Sequence, residues 1–255
     1  MTQFRKLAIA GAVTALMSAT AAEAHVSYNT NTSLANGNTG TAANWTGGLP
    51  TGYIGHLPAT WIANVHNDVT PNVSYEVSKA DAIAEGAPST YKVETLANKW
   101  NPAQSWGNAL DFGLIDLHAA GDLLITVAAD ATQGSVFTPG FTLFSGWDTS
   151  ATSSKHGSWN VALPAVPVNP RGTTGLTYLG QASTTVAGGV ASYLFTGLAA
   201  GHYSLWIGGN GTGGTGTTNQ SYVANISAVP VPSAVWLFGS ALAGVVGLRR
   251  RKMAA

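Results

Sequence analysis

Apolar and polar residues alternate through Leu123-Ile125-Val127-Ala129, with Leu124, Thr126 and Ala128 on the opposite face. This period of two is the signature of a half-buried strand. It returns in Phe141-Leu143 after the turn signal Pro139-Gly140, in Tyr193-Phe195, in Tyr203-Leu205-Ile207 and in Tyr222-Ala224-Ile226-Ala228. The glycines of Gly197-Leu198-Ala199-Ala200-Gly201 permit positive φ angles, which predicts a hairpin loop there. Helical signal is minor. Ser78-Lys79-Ala80-Asp81 has the form of a capping box, Ala82-Ile83-Ala84 follow, and Gly86 and Pro88 stop the turn. From Asn29 to Gly55 the chain is rich in Asn, Thr and Gly and has little periodicity, so long loops or edge strands are expected around Trp45 and Tyr53. Closely spaced strands without long crossover helices predict an all-β, β-sandwich or jelly-roll-like single domain over residues 25–229.

Two apolar segments stand outside this pattern, one at each end. Residues 1–24 combine Arg5 and Lys6, an apolar stretch from Leu7 to Met17 and the small-residue site Ala22-Glu23-Ala24, the layout of a secretory signal peptide. Cleavage after Ala22 starts the mature chain at Glu23; cleavage after Ala24 starts it at His25. At the other end, Val229-Pro230-Val231-Pro232 precedes a 16-residue apolar stretch, 233–248, and then Arg249-Arg250-Arg251-Lys252. As a helix that stretch rises about 24 Å, short of a hydrocarbon core of about 30 Å, so it is expected to span transiently with its basic tail in the cytoplasm.

Pro230-Val231-Pro232, the apolar segment and the basic run containing Arg249, Arg250 and Arg251 together resemble the PEP-CTERM sorting signal of Gram-negative bacteria, with Val231 where the name-giving Glu would stand. The resemblance covers residues 230–255. It implies recognition by an exosortase, export to the cell surface or beyond, and removal of the helix, and it implies nothing about the body.

Composition sharpens the picture. The 255 residues include no Cys and only 9% charged residues, which excludes a disulfide scaffold, a zinc-cysteine protein and a charge-rich disordered chain. Six of the eleven basic residues lie in the two end segments. Residues 25–232 keep five basic residues against ten acidic ones, and a body of that sign is not a nucleic-acid binder.

Candidate chemistry centres on histidine. If the mature chain begins at His25, its amine and imidazole can chelate one metal, an arrangement that suits Cu(II). It resembles the histidine brace of copper proteins, which needs a second histidine. His56, His66, His118, His156 and His202 are all candidates; the polar, loop-like setting Ser153-Ser154-Lys155-His156-Gly157 favours His156. Hydrolase signals are weaker. There is no Gly-x-Ser-x-Gly elbow and no His-Glu-x-x-His helix. Asp111, Asp116, Asp122 and Asp130 could bind Ca²⁺ or supply a glycosidase pair, although strand-end positions read as turn caps for Asp122 and Asp130. Gly209-Asn210-Gly211-Thr212-Gly213-Gly214 matches a dinucleotide fingerprint in form, but no helical pattern follows, so a loop is expected. Six of the eight tryptophans (45, 61, 100, 106, 147 and 159) lie in Gly/Asn/Ser-rich surroundings, where they would either fill the core or stack on sugars. The leading expectation is an exported, exosortase-sorted surface or matrix protein that adheres or associates with exopolysaccharide. The alternatives are a copper-binding extracellular protein built on His25 and a carbohydrate-active hydrolase.

Overall fold

The computed structural model describes residues 25–31, 42–47, 50–97, 100, 110–150, 174–211 and 218–229. The signal segment with Ala22 and Ala24, His156, Trp106, Trp159 and the sorting segment from Pro230 onward lie outside these residues. Among the described residues no helix is long and apolar enough to cross a membrane.

Among the described residues eleven strands form two sheets: β1 His25–Tyr28, β2 Ala59–Val65, β3 Ser74–Val77, β4 Glu94–Leu96, β5 Asp111–Leu117, β6 Gly121–Ala129, β7 Pro139–Ser145, β8 Thr177–Ser183, β9 Val190–Leu198, β10 Gly201–Gly209 and β11 Asn219–Val229. One sheet runs β1-β2-β5-β10-β7-β8 and the other β3-β11-β6-β9, with β4 also on β11. The all-β sandwich expected from the alternation is what forms. Alternate residues of facing strands, including Trp61, Ile115, Phe141 and Leu205 from the first sheet and Leu123, Ile125, Tyr222 and Ile226 from the second, make one buried core between the sheets. The six-stranded sheet is also covered on part of its outer face. There Ile62, Phe112, Leu114, Phe144 and Trp206 lie under Trp45, Tyr53, Leu57, Trp100 and Trp147 from loops.

That second layer decides the role of the loop tryptophans. Trp45, Trp61, Trp100 and Trp147 are all at most 6% exposed, so none of the four presents an open indole face to a sugar. Asp148 fixes the cover. Its carboxylate accepts from the backbone N–H groups of His56, Leu57 and Ser150 and from the Ser150 hydroxyl, at 2.8–3.1 Å.

The glycine-bounded segment 197–201 turns as expected, with positive φ at Gly197 and Gly201, but it is not a hairpin. β9 pairs with β6 in one sheet, whereas β10 pairs with β5 and β7 in the other. The segment therefore arches from sheet to sheet. It runs beside a second arch, since Gly201 pairs with Leu117 and Leu198 with Gly121 at the two feet. The burial of Phe195, Leu198 and Tyr203 in the same core explains the arch: a flat hairpin would leave one flank of the turn outside it.

The short helix α1, Lys79–Ala84, has Ser78 as its N-cap, whose hydroxyl accepts from the Asp81 N–H at 3.0 Å. Ser78→Ala is expected to cost about 1 kcal/mol in urea unfolding. Tyr28 of β1 reinforces the cap by donating to Asp81 at 2.7 Å and accepting from the Ser78 N–H.

Candidate metal centre

β2 and β5 form the one parallel pair among the described strands, with Asn64 beside Asp116 and Val65 beside Leu117. Parallel strands of matched register put equivalent ends side by side. The next residue of each is a histidine, His66 and His118. The ladder continues past the strand ends, because the His118 N–H donates to Val65 O at 3.0 Å. Asn67 then ties the two exits together: its Nδ2 donates to Ala119 O and its Oδ1 accepts from the Ala119 N–H, both at 2.8 Å. The His66 N–H donates to the Tyr75 hydroxyl at 3.0 Å, which anchors the start of the loop toward β3.

This frame brings the Nδ1 atoms of His66 and His118 to 3.1 Å, with the rings near perpendicular at 70°. The Asp68 carboxylate lies 3.8 Å from His118 Nδ1, and one ligand atom from each of the three side chains lies within 4.8 Å of the other two. Two imidazole nitrogens at about 2.0 Å from one ion and 3.1 Å apart subtend roughly 100° at it. The contact itself is a hydrogen bond between the two rings, the tautomer deciding which donates, and the angle, between square and tetrahedral, is one that adjacent positions on one cation allow. His118 and Asp68 are exposed and His66 is half-buried, so the cluster opens to solvent.

The neighbouring side chains extend the site along the outer face of the sheet. Asp116 lies between two histidines, 4.0 Å from His118 Nε2 and 3.9 Å from His202 Nε2. At these separations the carboxylate sits beside both rings as a nearby charge and is beyond hydrogen-bond distance of either. His202 stacks flat on Trp147, with ring centres 3.6 Å apart and planes at 2°. Ser27, Asn64, Asp116 and Trp147 line a polar cleft of about 230 Å³ beside the pair.

Of the residues singled out in the sequence, His25 enters the fold at the start of β1, paired with Asn64. His66 and His118 come together, and His202 is linked to them through Asp116. His56 is not part of this cluster. The four aspartates do not form an acidic pair in one cleft. Asp130 caps a 3-10 turn by accepting from Thr132, and Asp122 accepts from the Gly197 N–H at 2.7 Å. Asp111 is buried and spends its oxygens on Thr60, Phe112 and Tyr222. Only Asp116 stands at the site. Asp68 escaped the sequence reading, since a lone aspartate two residues after a histidine carries no motif.

Residues 228–252 match the PEP-CTERM protein-sorting motif. The chain thus carries an exosortase sorting signal and is an exported protein. No curated protein matches the sequence. Among solved structures, the chain has a distant likeness to CorA of Methylomicrobium album BG8, a surface-associated copper-binding protein important in copper acquisition. That match has 11% identity, covers 66% of this chain and 98% of that one, and has a TM-score of 0.42. A second is MopE of Methylococcus capsulatus, a secreted protein in which an oxidized tryptophan facilitates copper binding. It has 13% identity, 61% and 83% coverage and a TM-score of 0.33.

Proposed function

We propose that this exported protein binds copper through His66 and His118, with Asp68 as a further ligand and Asp116 as a neighbouring negative charge. The observation that carries the reading is the 3.1 Å approach of two imidazole nitrogens on a frame tied by backbone and Asn67 hydrogen bonds. Imidazole donors suit copper and zinc, and among the divalent first-row ions Cu(II) binds such a site most tightly. The function is capture of copper at the cell surface or outside it. Processing by an exosortase leaves the sandwich as the working part. Adhesion to exopolysaccharide takes second place because four of the six tryptophans that favoured it are in the core.

The test is a competition titration with Cu(II) on the exported chain, the His66→Ala, His118→Ala double variant and Asp116→Asn. One copper per chain is expected for the parent. The double variant is expected to lose at least a hundredfold in affinity, and Asp116→Asn, which removes a charge about 4 Å from the pair, only a fewfold. Copper at a hundred times its Kd adds about 2.7 kcal/mol to folding, which raises Tm by roughly 5–10 °C for a domain of this size. Equal copper affinity in parent and double variant would refute the assignment.

A further inference from the structure

The polar cleft of about 230 Å³ lies on the outer face of the six-stranded sheet. Strand register sets its polar lining. Ile62 belongs to the outer layer, and its partner on β1 is Ser27, so both side chains point to that face. Asn64, two residues after Ile62, and Asp116, the register partner of Asn64 on β5, point the same way. Ile62, Pro50 and Trp147 add apolar surface. Trp147 is a fixed wall, because its Nε1 donates to Tyr203 O at 3.1 Å and its ring stacks on His202.

The lining selects a class of ligand. Among the described lining residues Asp116 carries the one charge and none is basic, so an anion finds no partner there. The Asp116 carboxylate is 3.9–4.0 Å from the nearest imidazole nitrogens, too far to be spent on hydrogen bonds to them. Ser27 is 1% exposed, yet its hydroxyl has no hydrogen-bond partner. A buried hydroxyl left in that state calls for a partner from outside the chain. The groups also differ in role: a carboxylate only accepts, whereas the Asn64 amide and the Ser27 hydroxyl both donate and accept. An ammonium group would serve the acceptors and leave the Asn64 and Ser27 donors unpaired. Hydroxyl groups serve both kinds.

We infer that this cleft binds one neutral, polyhydroxylated ring, a pyranose unit of a saccharide. Asp116 accepts from its hydroxyls, Asn64 and Ser27 both donate to and accept from them, and Ile62, Pro50 and Trp147 cover its C–H surface. The volume is below the roughly 300–1,000 Å³ of pockets for drug-sized ligands and suits one ring. This differs from stacking on open indole faces, which the buried tryptophans do not offer. It is also independent of the copper reading. Asn64 and Asp116 stand two residues before His66 and His118, about 7 Å along their strands, so the ring lies beside the histidine pair and not on it.

The experiment titrates the exported, metal-free protein with the methyl glycosides of glucose, galactose, mannose and rhamnose, and with methylamine as an ammonium probe. The readout is the Trp147 indole N–H resonance in ¹H–¹⁵N NMR, which the bond to Tyr203 O keeps in place. At least one glycoside is expected to shift it saturably with a millimolar Kd, the scale for a ligand of this size. Ser27→Ala and Asp116→Asn are each expected to weaken that binding about tenfold, the loss of one hydrogen bond with its partner. Ser27→Ala should leave Tm equal or higher, since it removes a buried hydroxyl that has no partner, and should leave Cu(II) affinity unchanged. The His66→Ala, His118→Ala double variant should keep glycoside affinity within about twofold. An oligomer of the same ring that binds more tightly than the glycoside marks a polymer as the source and equal affinity marks the free sugar; both uphold the site. The inference is overturned if no glycoside gives a saturable shift, if methylamine binds more tightly than every glycoside, or if Ser27→Ala binds like the parent. Loss of glycoside binding in the histidine double variant also overturns it. Absence of copper binding with glycoside binding intact would sink the copper reading alone.

Discussion

Asp111→Ala is expected to lose about 4 kcal/mol of stability at pH 5, measured by urea unfolding. Asp111 is fully buried at the start of β5, where its carboxyl accepts from the Thr60 hydroxyl at 2.5 Å, from its neighbour's N–H at Phe112 and from the Tyr222 hydroxyl. Tyr222 in turn accepts from Trp61 Nε1 at 2.8 Å. Since Tyr222 belongs to β11 and the others to the opposite sheet, this chain of polar groups bolts the two sheets together through the core. Removing the carboxyl takes the acceptor from the Tyr222 hydroxyl proton and leaves the Thr60 hydroxyl only its longer bond to Phe112 O, in a place without water, where a buried group that loses its partner costs about 1–3 kcal/mol.

The same carboxyl gives the prediction a pH dependence of known sign. Burial pushes its pKa up to about 6 from an ordinary 3.8, against the lowering effect of the hydrogen bonds from Thr60, Tyr222 and Phe112. Between pH 4 and pH 6 the folded protein thus holds a proton that the unfolded chain releases. Its contribution is fully present below about pH 4 and is lost as pH rises through 6, a change of about 3 kcal/mol. Asp111→Ala lacks this slope, so its deficit relative to the parent shrinks between pH 5 and pH 7. A deficit that grows over that interval would contradict the assignment.

Gly113→Ala is expected to cost at least ~3 kcal/mol. A methyl group at Gly113 would sit 1.9 Å from Cζ2 of Trp61, a ring that is 0% exposed and is held by its bond to Tyr222. The indole cannot retreat without breaking that bond. Gly134→Ala is the control: its φ is +73° but nothing lies within 4 Å of the added carbon, so only backbone strain of about 1 kcal/mol applies. Because Gly113 and Asp111 act on the same Trp61–Tyr222 junction, the Asp111→Ala, Gly113→Ala double variant should lose less than the sum of the two. Additivity would mean that the junction does not couple the sheets.

β6 and β11 were legible because one face of each meets the core and the other is partly exposed, and β7 and β10 because Thr142 and Ser204 break the apolar run, although Phe144 and Trp206 are buried on the outer face as well. The segments Ala59–Val65 and Asp111–Leu117 gave no such signal. Ile62, Phe112 and Leu114 are covered on the outer face as well, and a strand buried on both sides loses its period of two. These are the two strands that place His66 and His118. Each histidine could be seen as one candidate among several, but their meeting depends on a parallel register that no local pattern encodes. The expectation for His156 came from loop composition alone, and that residue lies outside the described part of the fold. The C-terminal sorting signal was readable because its machinery recognises linear sequence, and the match over residues 228–252 agrees with the tripartite layout there.

The most direct test of the copper site is anomalous diffraction at the copper edge from crystals of the exported protein loaded with one equivalent of Cu(II). The account predicts a single peak at about 2.0 Å from Nδ1 of both His66 and His118. A copper peak at any other place, with the space between those two rings empty, would contradict it.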